Sequence, residues 1–320
     1  MDSTYLEVRI ARKAAEALDI VTLELTSTSG EALPAFSAGS HIDVEIQPGL
    51  VRQYSLCNDP TEQHRYVIGV LRDPVSRGGS IAVHDALHEG QTIRISPPRN
   101  HFPLVQAKRY VLFAGGIGVT PILCMAERLA SSGADFVMHY SARSAERAAF
   151  VERIGNSAYA GKVHFHFDNG APEQKLDLPA VLAAEPADSH LYVCGPGGFI
   201  DFVTNTAKVQ GWSDERIHFE YFAAKAVDTS EDQGFEVQVA STGKVYAIAA
   251  DQSIVSVLEA DGVEISVSCQ QGICGACITR VLDGQPDHRD QVLTDKERNE
   301  ENWFTPCCSR SRSPRLVLDI

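Results

Sequence analysis

The segment SCQQGICGACITR, residues 268–280, places Cys269, Cys274 and Cys277 at C-x4-C-x2-C spacing, and Cys307 and Cys308 follow in FTPCCSR. Three clustered thiolates with a distant fourth are the ligand set of a plant-type [2Fe–2S] cluster, whereas zinc sites more often use paired C-x2-C arms. Gly272 and Gly275 free the loop of side-chain bulk, so its amides can turn inward toward the sulfurs. By spacing in that loop alone, either Cys307 or Cys308 can complete the set. The N-terminus, MDSTYLEVRIARK, lacks the apolar core of a secretory leader. The expected location is therefore the cytoplasm, where clustered cysteines bind metal rather than form disulfides.

Glycine-rich turns supply a second chemistry. In SRGGS, residues 76–80, the amides of Gly78, Gly79 and Ser80 can face a phosphate, with Arg77 beside them and Arg72 upstream. FAGGIGVTPI, residues 113–122, follows an apolar run and opens a helical one. There Gly115, Gly116 and Gly118 let backbone approach a pyrophosphate at a helix N-terminus. VCGPGGF, residues 193–199, repeats the pattern with Cys194 and Gly195 at the turn. Taken singly, such turns are ordinary features of barrels and α/β domains, and Cys194 reads equally as a small buried residue. Their occurrence together gives them weight.

These motifs need elements to hold them. Up to about residue 105 the runs YLEVRIA, HIDVEI, YVIGVL and QTIRIS alternate apolar and polar positions, which predicts short antiparallel strands. From Lys108 the pattern changes to buried runs, RYVLFAGG, DFVMHYSA, VHFHFDN and SHLYVCGP, separated by helical PILCMAERLASSG and PGGFIDFVTNTAKVQG. That alternation predicts βαβ units around a parallel sheet. The small, polar AAKAVDTSEDQG reads as a linker. Beyond it, FEVQVA and KVYAIAA read as a hairpin through STG, SIVSVLEADG as a short helix, and RLVLDI as a closing strand. The expected fold is multidomain: an antiparallel β-barrel over 1–105, an α/β parallel-sheet domain over 106–224, a linker over 225–234, and a cysteine-bearing domain over 235–320.

The motifs, in this order, resemble the phthalate dioxygenase reductase and vanillate demethylase reductase family, and the resemblance spans essentially the whole chain. RQYSLC, with Arg52, Gln53, Tyr54 and Ser55, resembles the family's R-x-Y-S flavin motif. The resemblance implies that Arg52 pairs with the flavin phosphate, Tyr54 packs on the flavin, and Ser55 lies near its reactive N5. It likewise implies FMN at the SRGGS loop, supported by SPPRNHFPL, and NADH at the G-G-x-G loop, whose Thr120 also touches the flavin. YSAR and the following residue resemble the ribose-contacting element, with Arg143 and Ser144. Cys194 is implied near the nicotinamide, and Phe222 of HFEYF, with Tyr221 as the alternative, against the flavin. For the last domain the resemblance implies a β-grasp plant-type ferredoxin, and the family pattern C-x4-C-x2-C-x29-C assigns Cys307 as the fourth ligand. DHRD, residues 287–290, matches the family as well; with four cysteines filling the shell, its His288 reads as part of a charged surface turn.

Chemistry links the three sites. A nicotinamide gives a hydride, a [2Fe–2S] cluster takes single electrons, and a flavin between them does both. The resemblance implies a reductase passing electrons from NADH through FMN and the cluster to a Rieske-type oxygenase acting on an aromatic acid or a quaternary amine. Ser55 and Cys194 are the expected residues at the hydride-transfer centre, neither acting as a general acid or base. A stand-alone NADH oxidoreductase is the alternative, and a nucleotide-binding protein with a zinc interaction module is a rival of another class. The net charge of −14 argues against nucleic acid. No window suggests a membrane span, and nothing demands more than a monomer. From Thr229 onward 15 acidic residues face 8 basic ones, which suits docking on a basic partner.

Overall fold

Val8 and Ile10 are buried while Glu7 and Arg9 between and beside them are exposed, a period of two that seals one face of a sheet. The computed structural model describes residues 5–75, 78–224, 227–300 and 302–320. Its first sheet comprises β1 (Leu6–Ala17), β2 (Ile20–Ser27), β3 (Ser40–Gln47), β4 (Leu50–Ser55), β5 (Tyr66–Leu71) and β6 (Thr92–Ile95), with β7 (Arg99–Asn100) on β3. The helix α1 (Gly79–Ala86) lies between β5 and β6 in sequence. The antiparallel order is β4-β3-β6-β1-β2-β5, and a bridge between Leu56 and Ile68 joins its ends, closing the barrel. Val8, Leu23, Ile42, Val44, Ile68 and Ile95 fill the interior.

The second sheet is parallel: β8 (Arg109–Gly115), β9 (Asp135–Ala142), β10 (Val163–Phe167), β11 (His190–Gly195) and β12 (Ile217–Tyr221). Around it lie α2 (Val119–Ser131), α3 (Val151–Gly155), α4 (Leu178–Ala184) and α5 (Gly197–Val209). Leu178, Leu182, Ile200 and Val203 of α4 and α5 pack on Val111, Phe113, Leu191 and Val193, while α2 covers the other face. The order β10-β9-β8-β11-β12 reverses direction between β8 and β11, which opens a crevice at their C-terminal ends.

The chain divides into two compact units, Met1–Tyr221 and Phe222–Ile320. Barrel and parallel sheet share the first, because Ile20, Cys57 and Phe102 belong to the same apolar cluster as Leu112, Tyr192 and Cys194. Polar ties join them too: Phe150 N–H donates to Glu16 Oε1 at 2.8 Å, and Arg147 pairs with Asp19 at 2.9 Å.

The second unit contains β13 (Phe235–Val239), β14 (Val245–Ile248), α6 (Ile254–Ala260), β15 (Thr279–Asp283), β16 (Pro286–Asp287), α7 (Asp295–Asn299), β17 (Trp303–Phe304), β18 (Arg310–Ser311) and β19 (Arg315–Leu318). Its main sheet, β14-β13-β19-β15-β17, packs on α6 in the β-grasp manner. Ser253 caps α6, its Oγ accepting from Ser256 N–H at 3.1 Å. The expected closing strand, β19, is interior to the sheet. It lies between β13, to which it is parallel, and β15. The stretch expected as linker is anchored near its end, where Asp232 accepts from both Arg289 Nη atoms at 2.6 and 2.9 Å. No described helix is long and apolar enough to cross a membrane.

Candidate functional site

The phosphate cradle begins on β4. Arg52 leaves this strand and lies across the N-terminal turn of α1, so that a Cβ added at Gly79 would stand 2.5 Å from Arg52 Cγ and 2.8 Å from its Nε. Gly78 precedes the helix at φ 87, and no side chain caps the first turn. A guanidinium beside uncapped amides fits the phosphate end of a flavin mononucleotide. Ser80 Oγ accepts from Asp73 N–H at 3.1 Å, fixing the turn. Arg72 does not join this group: it forks onto Asp85 at 2.6 and 2.9 Å. Arg77 lies outside the described residues. Tyr54 packs against the barrel core, and burial pushes its phenol up. Gln53 Nε2 is 3.2 Å from the His41 ring, and Ser55, 6% exposed, is registered opposite His41.

The dinucleotide loops meet at the crevice between β8 and β11. Gly118 is buried so tightly on the second loop that a Cβ there would overlap the Cys194 carbonyl and stand 2.5 Å from Gly195 N. Gly115 and Gly195 are similarly close, and the Phe199 ring packs against both. Glycine loops at the C-terminal ends of adjacent parallel strands fit a pyrophosphate, whose charge backbone amides can meet directly. Gly116 takes φ 53 in the turn before α2. Thr120 is buried in the first turn of α2 and donates to Ile117 O at 3.1 Å. Arg143 follows β9 and is exposed, with Ser144 next to it preceding a short 3-10 turn. Phe222 is 38% exposed and is the first residue of the second unit. Tyr221 is committed elsewhere, its hydroxyl donating to Asp201 Oδ1 of α5 at 2.8 Å.

In the second unit Cys269 adjoins Cys274 and Cys277 adjoins Cys307, which also touches Cys308. Among the described residues no three His, Cys, Asp or Glu side chains converge on a single metal ion. Two thiol pairs fit a binuclear cluster, each iron taking two, better than a four-coordinate zinc. Backbone amides point at the sulfurs, with Gln271 N–H donating to Cys269 at 3.3 Å and Ala276 N–H to Cys274 at 3.5 Å. Cys308 lies beside Cys307 and against Gly272, its sulfur 3.4 Å from Thr305 Oγ1 and 3.7 Å from Ser309 Oγ.

Known proteins resemble this chain along nearly its whole length. Residues 237–312 match the 2Fe-2S iron-sulfur cluster binding domain family. The chain is 55% identical to the vanillate O-demethylase oxidoreductase of Pseudomonas sp. strain HR199, over 98% of this chain and all of the relative. It is 39% identical to the phthalate dioxygenase reductase of Burkholderia cepacia, over 99% and 98% of the two chains. The solved phthalate dioxygenase reductase, described as a modular structure for electron transfer from pyridine nucleotides to [2Fe-2S], superposes with a TM-score of 0.76 at 39% identity, covering 99% of this chain and 98% of that one. The chain belongs to the phthalate dioxygenase reductase family.

Two features of this family member were not legible beforehand. Glu220 of β12 is registered beside Cys194, and its Oε2 is sealed from solvent with no hydrogen-bond partner among the described residues. Burial pushes its carboxyl up to about 8, and Cys194 is pushed up by burial and by Glu220. Its only sequence signal was a lone acid in the aromatic run HFEYF. The second feature is DHRD, which is a buried knot and not a surface turn: the Asp290 side chain is 0% and that of His288 17% exposed. Opposing charges draw it inward, since Arg289 pairs with Asp232 and Asp287, and Asp290 with Arg298.

Proposed function

We propose that this oxidoreductase is the NADH-dependent reductase component of a Rieske-type oxygenase or demethylase. Arg52 and the α1 N-terminus would hold FMN, the crevice of Gly115, Gly118 and Gly195 would hold NADH, and Cys269, Cys274, Cys277 and Cys307 would hold the cluster. The observation that carries the reading is the pairing of four thiols in a chain that also has a phosphate cradle and a dinucleotide crevice. When bound, the flavin accepts a hydride and passes its electrons on singly to the cluster. The chain's own residues orient and insulate. Cys194, fully buried at the end of β11, and Ser55, buried at the end of β4, exclude water around the transfer centre. Ser55 would tune the flavin through its hydroxyl, and Arg143, just after β9, would contact the nicotinamide ribose.

The partner reading rests on the relatives, named for vanillate demethylation and phthalate dioxygenation, so an aromatic acid is the substrate class of the oxygenase. The reductase itself works as a cytoplasmic monomer, and its acidic second unit docks on a basic face of the oxygenase. Anaerobic titration with NADH, followed by visible absorbance and low-temperature electron paramagnetic resonance, tests the reading. Flavin bleaching followed by a reduced [2Fe–2S] signal supports it. A bleached flavin with zinc and no iron signal would overturn it, and full turnover of ferric or quinone acceptors without any preference for an oxygenase would favour the stand-alone enzyme.

A further inference from the structure

The DHRD loop connects both ligand-bearing segments of the second unit. On one side Gln291 N–H donates to Gly272 O at 2.9 Å, and Asp290 Cα lies 2.9 Å from where a Cβ on Gly272 would stand. Gly272 falls between Cys269 and Cys274. On the other side Arg289 N–H donates to Ser309 Oγ at 3.0 Å, two residues after Cys307. Between these contacts sits the Asp290 carboxylate, with its side chain wholly shielded. Oδ2 accepts from Leu293 N–H at 2.8 Å, Val292 N–H at 3.2 Å and Arg298 Nη2 at 3.2 Å. Oδ1 has no hydrogen-bond partner among the described residues, and His288 Nδ1 stands 3.7 Å away. Arg289 brings no charge to it, because its guanidinium is spent on Asp232 and Asp287.

We propose that Asp290 is a positioning residue for the cluster: it clamps the two ligand segments together, and its buried charge holds the cluster's reduction potential down. The inference rests on the reading that the four cysteines bind a [2Fe–2S] cluster. A cluster becomes more negative when it takes an electron, and net charge beside it is one of the determinants of its potential. In a poorly screened interior a nearby carboxylate opposes that change, and Arg298 partly cancels it. Asp290 and Arg298 therefore act on the potential with opposite sign.

The test is a redox titration of the full-length holoprotein at one fixed pH, following the reduced-cluster resonance signal. Asp290→Asn keeps the shape and removes the charge, so the cluster midpoint should move to more positive potential. Arg298→Gln leaves the carboxylate uncancelled, so the midpoint should move to more negative potential, and the double variant should return toward the parent value. An unchanged midpoint in Asp290→Asn, or shifts of the same sign in both single variants, overturns the proposal. If Asp290→Asn does not retain iron, Arg298→Gln decides, and a midpoint at or above the parent's rejects the charge role. A purely structural role would lower cluster content without opposite shifts. Absence of a [2Fe–2S] signal in the parent protein would instead overturn the cluster reading itself.

Discussion

Glu220 on β12 lies in register with Cys194 on β11, and it shares a strand face with His218, which stacks on Tyr192 at 4.4 Å, so it turns toward the barrel side of the sheet. The crevice wall thus carries a sealed carboxyl beside a sealed thiol, and burial at about 8 keeps that carboxyl protonated at neutral pH.

This pair predicts a pH-dependent hydride step. Flavin reduction by NADH should fall as pH rises through about 8, when charge develops beside Cys194, and Glu220→Gln should flatten the profile. The stability sign follows from the raised value: the contribution is fully present below the ordinary carboxyl range and is lost as pH rises through about 8. Anaerobic stopped-flow absorbance with thermal melts across that range checks both. An unchanged profile in Glu220→Gln rejects the role.

The histidines of β9 and β10 predict acid lability. His139 stacks on Phe113, His164 and His166, with 3.0 Å between His139 Nδ1 and His166 Nε2. Burial, with the neighbouring imidazoles and Arg109 adding to it, depresses His139 to about 3. A depressed histidine favours the unfolded chain in acid, so stability should decline as pH falls from the ordinary imidazole value toward about 3. His139→Gln should show a shallower decline in calorimetric midpoint.

Gly79→Ala should spare the fold and weaken flavin retention. The new methyl meets the flexible part of Arg52, 2.5 Å away, and pushes the guanidinium from the α1 N-terminus. Loss of one charge-assisted contact should weaken FMN binding by roughly tenfold. Fluorescence titration of the apoprotein with FMN measures it, with Arg52→Ala as the reference.

Gly118→Ala should be a folding lesion. Its methyl would meet the backbone of Cys194 and Gly195, which no rotamer change relieves. We expect a loss of about 1–3 kcal/mol in denaturant unfolding of the first unit, in the range of overpacked cores. A near-parent melting curve would show that the two loops can separate.

Cys307→Ala should abolish the [2Fe–2S] spectrum, and Cys308→Ala should retain it, because Cys307 adjoins Cys277 while Cys308, which touches Cys307, is also held by Thr305 and Ser309. Iron content and visible absorbance distinguish them. The reverse outcome would exchange their roles.

Local chemistry was readable from the chain. The C-x4-C-x2-C spacing, the glycine loops and the change from alternating to continuous apolar runs each depend on neighbours within one turn or strand. For that reason barrel, parallel sheet and cysteine-bearing unit followed in order. Other expectations depended on which elements become neighbours. RLVLDI reads as a strand from its own pattern, but its place between β13 and β15 depends on partners far away in the sequence. Arg72 looked free for a phosphate because Asp85, 13 residues away, faces it only once α1 has packed.

What the sequence by itself determined is the set of groups, their order and the spacing that suits them to carry electrons. Only the tertiary structure decided which charges are buried and what they face. Glu220 acquires its raised carboxyl from β12 lying against β11, and Asp290 its place beside Gly272 from the folding of the DHRD loop onto both ligand segments. Burial and register are properties of packed neighbours far apart in the chain, so no local pattern could encode them alone.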